Sequence, residues 1–223
     1  SYPLYLTTLM KQLILTLFTL GLLFTAQAQT KPAEPVIPKT DYLVKITTSY
    51  GEMVILLYSQ TPLHRKNFID LAQKHFYDST TFHRVILDFM IQGGDPNSKD
   101  SITTNDGIGG PGYTIPAEFN PTIKHDKGAL AAARMGDDSN PAKASSGSQF
   151  YIVQNKNGTP FLDNNYTVFG QVISGFDVID KIAQVKVDGA SRPFKDVPMK
   201  VTAVKMKTKK IIKLYDCAWF YKL

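Results

Sequence analysis

The sequence predicts a mainly β fold: a closed eight-stranded antiparallel barrel capped by two α-helices. Three observations carry this expectation. Residues 41–206 hold eight short strand candidates separated by turn residues. Only two helical periodicities interrupt them, so strands and helices do not alternate as a parallel α/β sheet requires. Closure is the way short antiparallel strands remove their exposed edges.

The elements follow in order. Residues 43–48 and 53–58 flank Tyr50-Gly51-Glu52, a hairpin signal. The run from Met53 to Tyr58 is apolar at nearly every position, as a strand buried on both faces would be. Thr61 offers an N-cap, with Pro62 at the first helical position. Phe68, Leu71, Ala72 and His75 then recur at helical spacing, so 62–75 reads as an amphipathic helix with His75 on its apolar face. Further strands are expected at 82–86, 90–93, 129–133, 149–153, 168–172 and 199–206. A short helix at 176–183 separates the last two. Between Gln92 and Glu118 lies a stretch rich in Gly, Pro, Asp and Asn, too long for a simple connector.

The two ends read differently. Lys11, the apolar run 13–24 and Thr25-Ala26-Gln27-Ala28 have the three regions of a secretory signal peptide. The run is short of the ~20 residues that span a bilayer. An uncleaved anchor is the alternative, since 4–9 is also apolar, but Lys11 breaks that stretch. Met10 is the candidate start, with residues 1–9 upstream of it. Cleavage is expected near Ala28, with export to the periplasm or secretion. Residues 29–40, with three prolines, read as an extended linker. Residues 207–223 are basic, then aromatic, and read as a tail with no assigned structure.

Charge and cysteine content narrow the function. The single Cys217 excludes an intrachain disulfide framework and a cysteine-rich zinc site. The formal net charge is +6, of which the tail contributes +4 and residues 29–206 only +1. A nearly neutral domain disfavours nucleic acid as partner. GIGGPG at 107–112 matches a dinucleotide fingerprint but neither follows a strand nor opens a helix, so it reads as a glycine-rich loop. The four histidines show no paired metal-ligand spacing. There is no nucleophile elbow, and Ser148 has no evident His/Asp partners.

One segment stands out, FHRVILDFMIQGGD at 82–95. Strand alternation places Phe82, Arg84 and Ile86 on one side and His83 and Val85 on the other. An Arg among apolar neighbours needs a carboxylate or a ligand. A structural Arg–carboxylate pair and a ligand-binding Arg both fit this segment. GALAAARM at 128–135, GSQFYIV at 147–153 and FLDNNYTVFGQV at 161–172 follow it. These four segments, in this order, resemble the cyclophilins, a family of peptidyl-prolyl cis–trans isomerases. The resemblance covers residues 41–206 and implies the eight-stranded barrel with two helices.

Carried over residue by residue, the resemblance makes Arg84 the catalytic arginine, with Gln92 and Phe89 beside it. Met90, Tyr151 and Leu162 would line a proline pocket with Phe89, and Phe161 and Tyr166 would complete its rim. Gln92 and Gln149 would hydrogen-bond the substrate, Ala133 and Arg134 would flank its backbone, and Gly107 would border the next subsite. His83 joins this substrate-binding set. Phe161, Tyr166 and Arg134 look like the bacterial form of the family. Phe161 stands where eukaryotic members carry Trp, which implies weaker cyclosporin binding. Tyr151 stands where Phe is usual, and its hydroxyl needs a partner.

The chemistry suits these residue types. Rotation about an X-Pro amide breaks no bond, so no nucleophile, metal or cofactor is expected. The expected partners are proline-containing peptides and unfolded exported proteins. Membrane contact is expected only through an uncleaved signal or the basic tail, and the chain is expected to be a monomer. The rival reading is a proline-peptide binding module or chaperone with weak or lost catalysis.

Overall fold

The computed structural model describes residues 37–223. The export segment and most of the linker therefore lie outside the described residues. Ten strands occur: β1 Thr40–Thr48, β2 Gly51–Leu57, β3 Arg84–Ile86, β4 Met90–Gly93, β5 Thr114–Ile115, β6 Ala129–Ala132, β7 Ser145–Ser146, β8 Phe150–Val153, β9 Val168–Ser174 and β10 Lys200–Lys207. Eight form one antiparallel sheet in the order β10-β1-β2-β9-β6-β8-β4-β3, and β5 pairs with β7 separately. Among the described residues there are three α-helices: α1 Pro62–Gln73, α2 Phe176–Ala183 and α3 Thr208–Tyr215.

The eight expected strands are present as one eight-stranded antiparallel sheet, and one isolated bridge, Thr81 with Pro198, joins the segments that lead into its two end strands. Its edges, β10 and β3, do not pair with each other. Only the segments leading into them meet: Phe82 N–H donates to the Val197 carbonyl at 3.0 Å and Met199 N–H to that of Thr80 at 2.9 Å. Pro198 has no N–H to extend this bridge. Beyond it, the free edge of β3 is taken by another segment, with Val85 N–H donating to the Ser191 carbonyl at 2.8 Å.

The sheet buries both faces. On one, Val44, Ile46, Met53, Ile55 and Leu57 pack with Phe68, Leu71 and Ala72 of α1 and Val178, Ile179 and Ile182 of α2. On the other, Leu43, Val54 and Leu56 pack with Tyr58, Tyr151 and Val153. The apolar β2 is thus buried on both sides. Its second cover comes from residues 207–223, which the sequence reading left unstructured. This segment folds as α3 and a 3₁₀ turn, Ala218–Lys222. Ile211, Cys217, Phe220 and Tyr221 are buried there, and Phe220 stacks on Tyr58 at 4.7 Å. The apolar side of the segment docks while Lys209, Lys210 and Lys213 stay exposed.

Three local expectations change. Helix α1 ends at Gln73, and His75 is exposed in a left-handed turn (φ 58°), not on the apolar face. Thr61 makes no side-chain cap. Glu118 takes that place from the loop, accepting from the N–H groups of Leu63 and His64, both at 3.0 Å. A carboxylate suits the positive end of a helix. Finally, Phe82 does not share the face of Arg84 and Ile86. Regular strand begins only at Arg84, so Phe82 turns into the α1/α2 core.

Candidate active site

The site grows from one row across the sheet. Arg84 on β3 lies opposite Gln92 on β4, and Gln92 opposite Tyr151 on β8. Cross-strand partners present their side chains on the same face, here the one away from α1 and α2. The β3–β4 hairpin turns at Asp88, whose left-handed φ of 59° suits an Asp better than most residues. Asn155 Nδ2 holds the turn by donating to the Asp88 carbonyl at 2.7 Å, and Gln154 N–H donates to that of Phe89 at 2.8 Å. The hairpin tip that carries Phe89 is therefore fixed to the end of β8.

Beside this row opens a cavity of about 210 Å³, lined by Arg84, Phe89, Met90, Gln92, Ala133, Arg134, Tyr151, Leu162 and Tyr166. Nine of the thirteen expected site residues thus meet in one place. Its walls mix apolar and aromatic side chains with the polar groups of Gln92 and Arg134, and Arg84 stands exposed at its mouth. Among the described residues no carboxylate lies within ion-pair distance of Arg84. The structural ion pair is thereby excluded for those residues.

What Arg84 does contact is an amide chain. Arg84 Nη1 donates to Gln92 Oε1 at 3.3 Å, and Gln92 Nε2 donates to Gln149 Oε1 at 3.2 Å. Gln149 Nε2 donates to the carbonyls of Gly107 and Gly109, at 2.9 and 2.8 Å. Every amide in the chain is oriented by its neighbours. Gln149 spends both N–H donors on the loop and so connects it to Gln92. The guanidinium keeps most of its five N–H groups for a ligand.

The long loop is anchored by a residue that sequence reasoning missed. Asp95, fully buried, accepts from the N–H groups of Gly107, Gly109 (3.1 Å) and Asn97 (2.8 Å). A Cβ at Gly109 would come within 2.1 Å of Asp95 Oδ1, so the glycine-rich sequence allows this close approach. Arg192 ties the far end through Asp106, Nε to Oδ2 at 2.6 Å. The loop and the Gln149 carbonyl partners border a neighbouring groove of about 660 Å³ that includes Gly107, Ala133 and Arg134.

Four expected residues lie outside the first cavity. Gly107 and Gln149 both border the neighbouring groove. Phe161 is 68% exposed and stacks on Phe89 with ring centres 5.9 Å apart, at the rim. His83 is a correction. It is buried beneath Gly107, lines neither cavity, and neither ring nitrogen has a partner among the described residues. Burial lowers its pKa, against the pull of Asp95 and Asp106. Its side chain packs against the glycine-rich loop and not into the cavity that Arg84 borders.

Arg134 is occupied. Its Nε donates to the Asn165 carbonyl at 2.9 Å, its Nη1 pairs with Asp137 at 2.6 Å, and its guanidinium lies over the Tyr166 ring at 4.4 Å. It holds the Tyr166 wall. The Tyr151 hydroxyl finds the partner it needs in His125, 3.0 Å away.

Comparison with known proteins agrees with this geometry. A family model described as cyclophilin type peptidyl-prolyl cis-trans isomerase/CLD matches residues 43–204. Peptidyl-prolyl cis-trans isomerase-like 1 of Neurospora crassa is 40% identical over 159 residues, covering 69% of this chain and 88% of that protein. Peptidyl-prolyl cis-trans isomerase-like 2 of Rhizopus delemar is 39% identical over 74% of this chain, which spans only 29% of that longer protein. A Cryptosporidium parvum cyclophilin type isomerase superposes with a TM-score of 0.64 at 32% identity, covering 74% of this chain and 98% of that one. The same protein has been solved in the presence of the dipeptide Ala-Pro. Cavity, arginine and amide chain, together with these matches, place the chain in the cyclophilin-type peptidyl-prolyl cis–trans isomerase family.

Proposed function

We propose that this chain catalyses cis–trans isomerisation of X-Pro bonds, with the prolyl ring in the 210 Å³ cavity and Arg84 acting on the amide. The observation that carries this reading is a guanidinium with no carboxylate partner among the described residues, held by Gln92 at the mouth of a cavity that Phe89, Met90 and Leu162 help to line. The resonance barrier is ~18–20 kcal/mol. In the twisted transition state the amide nitrogen regains a lone pair. A donor aimed at that nitrogen binds the twisted form better than either planar one, and such differential binding lowers the barrier.

Magnitudes divide the work. An acceleration of about 10⁶ needs about 8 kcal/mol. A charged hydrogen bond supplies about 1.5–3 kcal/mol. The rest falls to preorganisation: Phe89, Met90 and Leu162 hold the ring, and the Gln92–Gln149 chain holds the arginine. Arg suits the task because its charge persists at any working pH. The test is an exchange assay on an X-Pro peptide. Arg84→Ala should lower kcat/KM at least tenfold with the fold intact. Binding without exchange by the wild type would favour the binding module instead.

We further read the protein as the exported, bacterial form of the family, acting on unfolded exported proteins. Its support is the signal pattern at 10–28, with the Phe161, Tyr166 and Arg134 variations. Mass mapping of the mature N-terminus after expression in a Gram-negative host tests it. Cleavage near Ala28 and recovery from the periplasm are expected, and retention of the intact N-terminus in the cytoplasm would overturn it.

A further inference from the structure

The cavity is coupled to a buried titratable pair that the reaction itself does not use. The Tyr151 ring lines the cavity, edge-on to Tyr166 at 5.9 Å. Its hydroxyl meets His125 Nε2 at 3.0 Å, and His125 Nδ1 meets Asp163 Oδ1 at 2.8 Å. Tyr151 is 4% exposed and His125 2%, so losing the bond between them leaves two largely buried polar groups without it. Asp163 directly follows Leu162, a second wall of the cavity, and also accepts from the backbone N–H of His125 at 3.0 Å. The His125 carbonyl accepts from Thr159 N–H at 2.8 Å, just before the turn that carries Leu162. One imidazole therefore ties two walls together.

The proton positions follow. Burial would raise the Asp163 pKa, but hydrogen bonds from His125 outweigh it and hold the carboxyl below its ordinary value. An ionised carboxylate only accepts, so Nδ1 carries the imidazole proton. Nε2 then offers a lone pair, and the Tyr151 hydroxyl donates to it. Burial keeps His125 below its ordinary pKa, against Asp163 and Asp126 and with a small push from Lys124. A second proton on Nε2 would face the hydroxyl proton. Among the described residues the Tyr151 hydroxyl has no other hydrogen-bond partner. The groups facing the ring are Asp163, Lys124, Asp126 and Tyr151, with Asn157 and Pro160 beside it in a surface cleft.

We propose that His125 and Asp163 are positioning residues for isomerisation: neutral His125, protonated on Nδ1, locks Tyr151 and Leu162 in the arrangement that grips the prolyl ring. The inference rests on reading the cavity as the isomerase site.

The test uses the full chain and an X-Pro peptide without titratable side chains, between about pH 5 and pH 8. Wild-type kcat/KM should fall on the acid side, below the ordinary histidine pKa. Tyr151→Phe should abolish that acid limb, whatever its activity at pH 8. Asp163→Asn should lower kcat/KM about fivefold in the wild type, the size of one hydrogen bond, and cause no further loss in the Tyr151→Phe background. An acid limb unchanged in Tyr151→Phe, or the same Asp163→Asn loss in both backgrounds, would reduce the pair to a structural role and overturn the proposal. The His125 ring ¹⁵N shifts, read on the protein alone, should show the Nδ1–H tautomer at neutral pH, and the Nε2–H tautomer would overturn it. If Asp163→Asn does not fold, the wild-type and Tyr151→Phe profiles with these shifts decide. If the wild type shows no exchange, the isomerase reading fails by itself. The pH dependence of peptide affinity, again wild type against Tyr151→Phe, then decides the His125 link.

Discussion

Two apolar regions share the face of the sheet that turns away from α1 and α2. Near β1 and β2 it is filled by the chain itself, with Phe220 stacked on Tyr58 and Ile211 and Cys217 fully buried. Near β3, β4 and β8 the comparable surface of Phe89, Met90, Tyr151 and Leu162 is left as a cavity with a cation at its mouth. The difference lies in what surrounds each. The filled region is bounded by a helix that offers an apolar stripe. The open one is bounded by polar tethers, Asn155 to the hairpin tip and Arg134 to Asn165, that hold its walls apart. Apolar surface left uncovered by such a framework is what a ligand site requires.

The largest effect that separates the two regions is on stability. Phe220→Ala should cost about 3–5 kcal/mol, as for other buried phenylalanines. It should lower the urea midpoint while leaving kcat/KM of the folded fraction near wild type. Removing 207–223 should do more, since it uncovers β2. Equal losses of activity and stability would show that the two regions are not separable. The reverse experiment is Arg84→Ala, worth about 1.5–3 kcal/mol in the barrier. Because Arg84 is exposed and makes no ion pair with the described residues, the unfolding free energy in urea should stay within about 0.5 kcal/mol of wild type.

Asp95→Ala lies between these. It strips the acceptor from the N–H groups of Gly107 and Gly109, which should cost about 1–3 kcal/mol. Gln149 then loses its fixed carbonyl partners, so kcat/KM should fall as well. A drop in stability with unaltered kinetics would separate the loop from the site.

The smallest effect is the acid response. His64, His83 and His125 are each held below the ordinary histidine pKa of 6.5, chiefly by burial. Above 6.5 they are neutral in both states and their contribution is complete. As pH falls, the unfolded chain takes up protons first, so stability is lost down through the folded pKa values. Urea midpoints should therefore fall from pH 7.5 to pH 5.5. A flat profile would contradict the burial of these rings.

Much of the fold could be read because helical periods survive where one face is buried, as in α1, and because β2, buried on both faces, is a continuous apolar run. The tail could not. Residues 207–223 reach their apolar period only when β2 is present to receive it, and a basic, aromatic run alone does not say what it packs on. The same holds at Thr61, where a cap present in the sequence yields to Glu118, 57 positions along the chain. Phe82 departs from the alternation because regular strand begins only at Arg84, two residues later than the sequence pattern suggests.

Sequence by itself determined the family, the strand order along the chain and the residues gathered at the cavity, because each of these is written in contiguous motifs. Tertiary structure alone decided how those residues are used. It freed Arg84 of any carboxylate among the described residues, gave Gln149 to the loop and Arg134 to Tyr166, and joined Tyr151 to His125 and Asp163. Hydrogen bonds between side chains far apart in sequence have no local signature, since their partners are chosen only when the sheet brings them together.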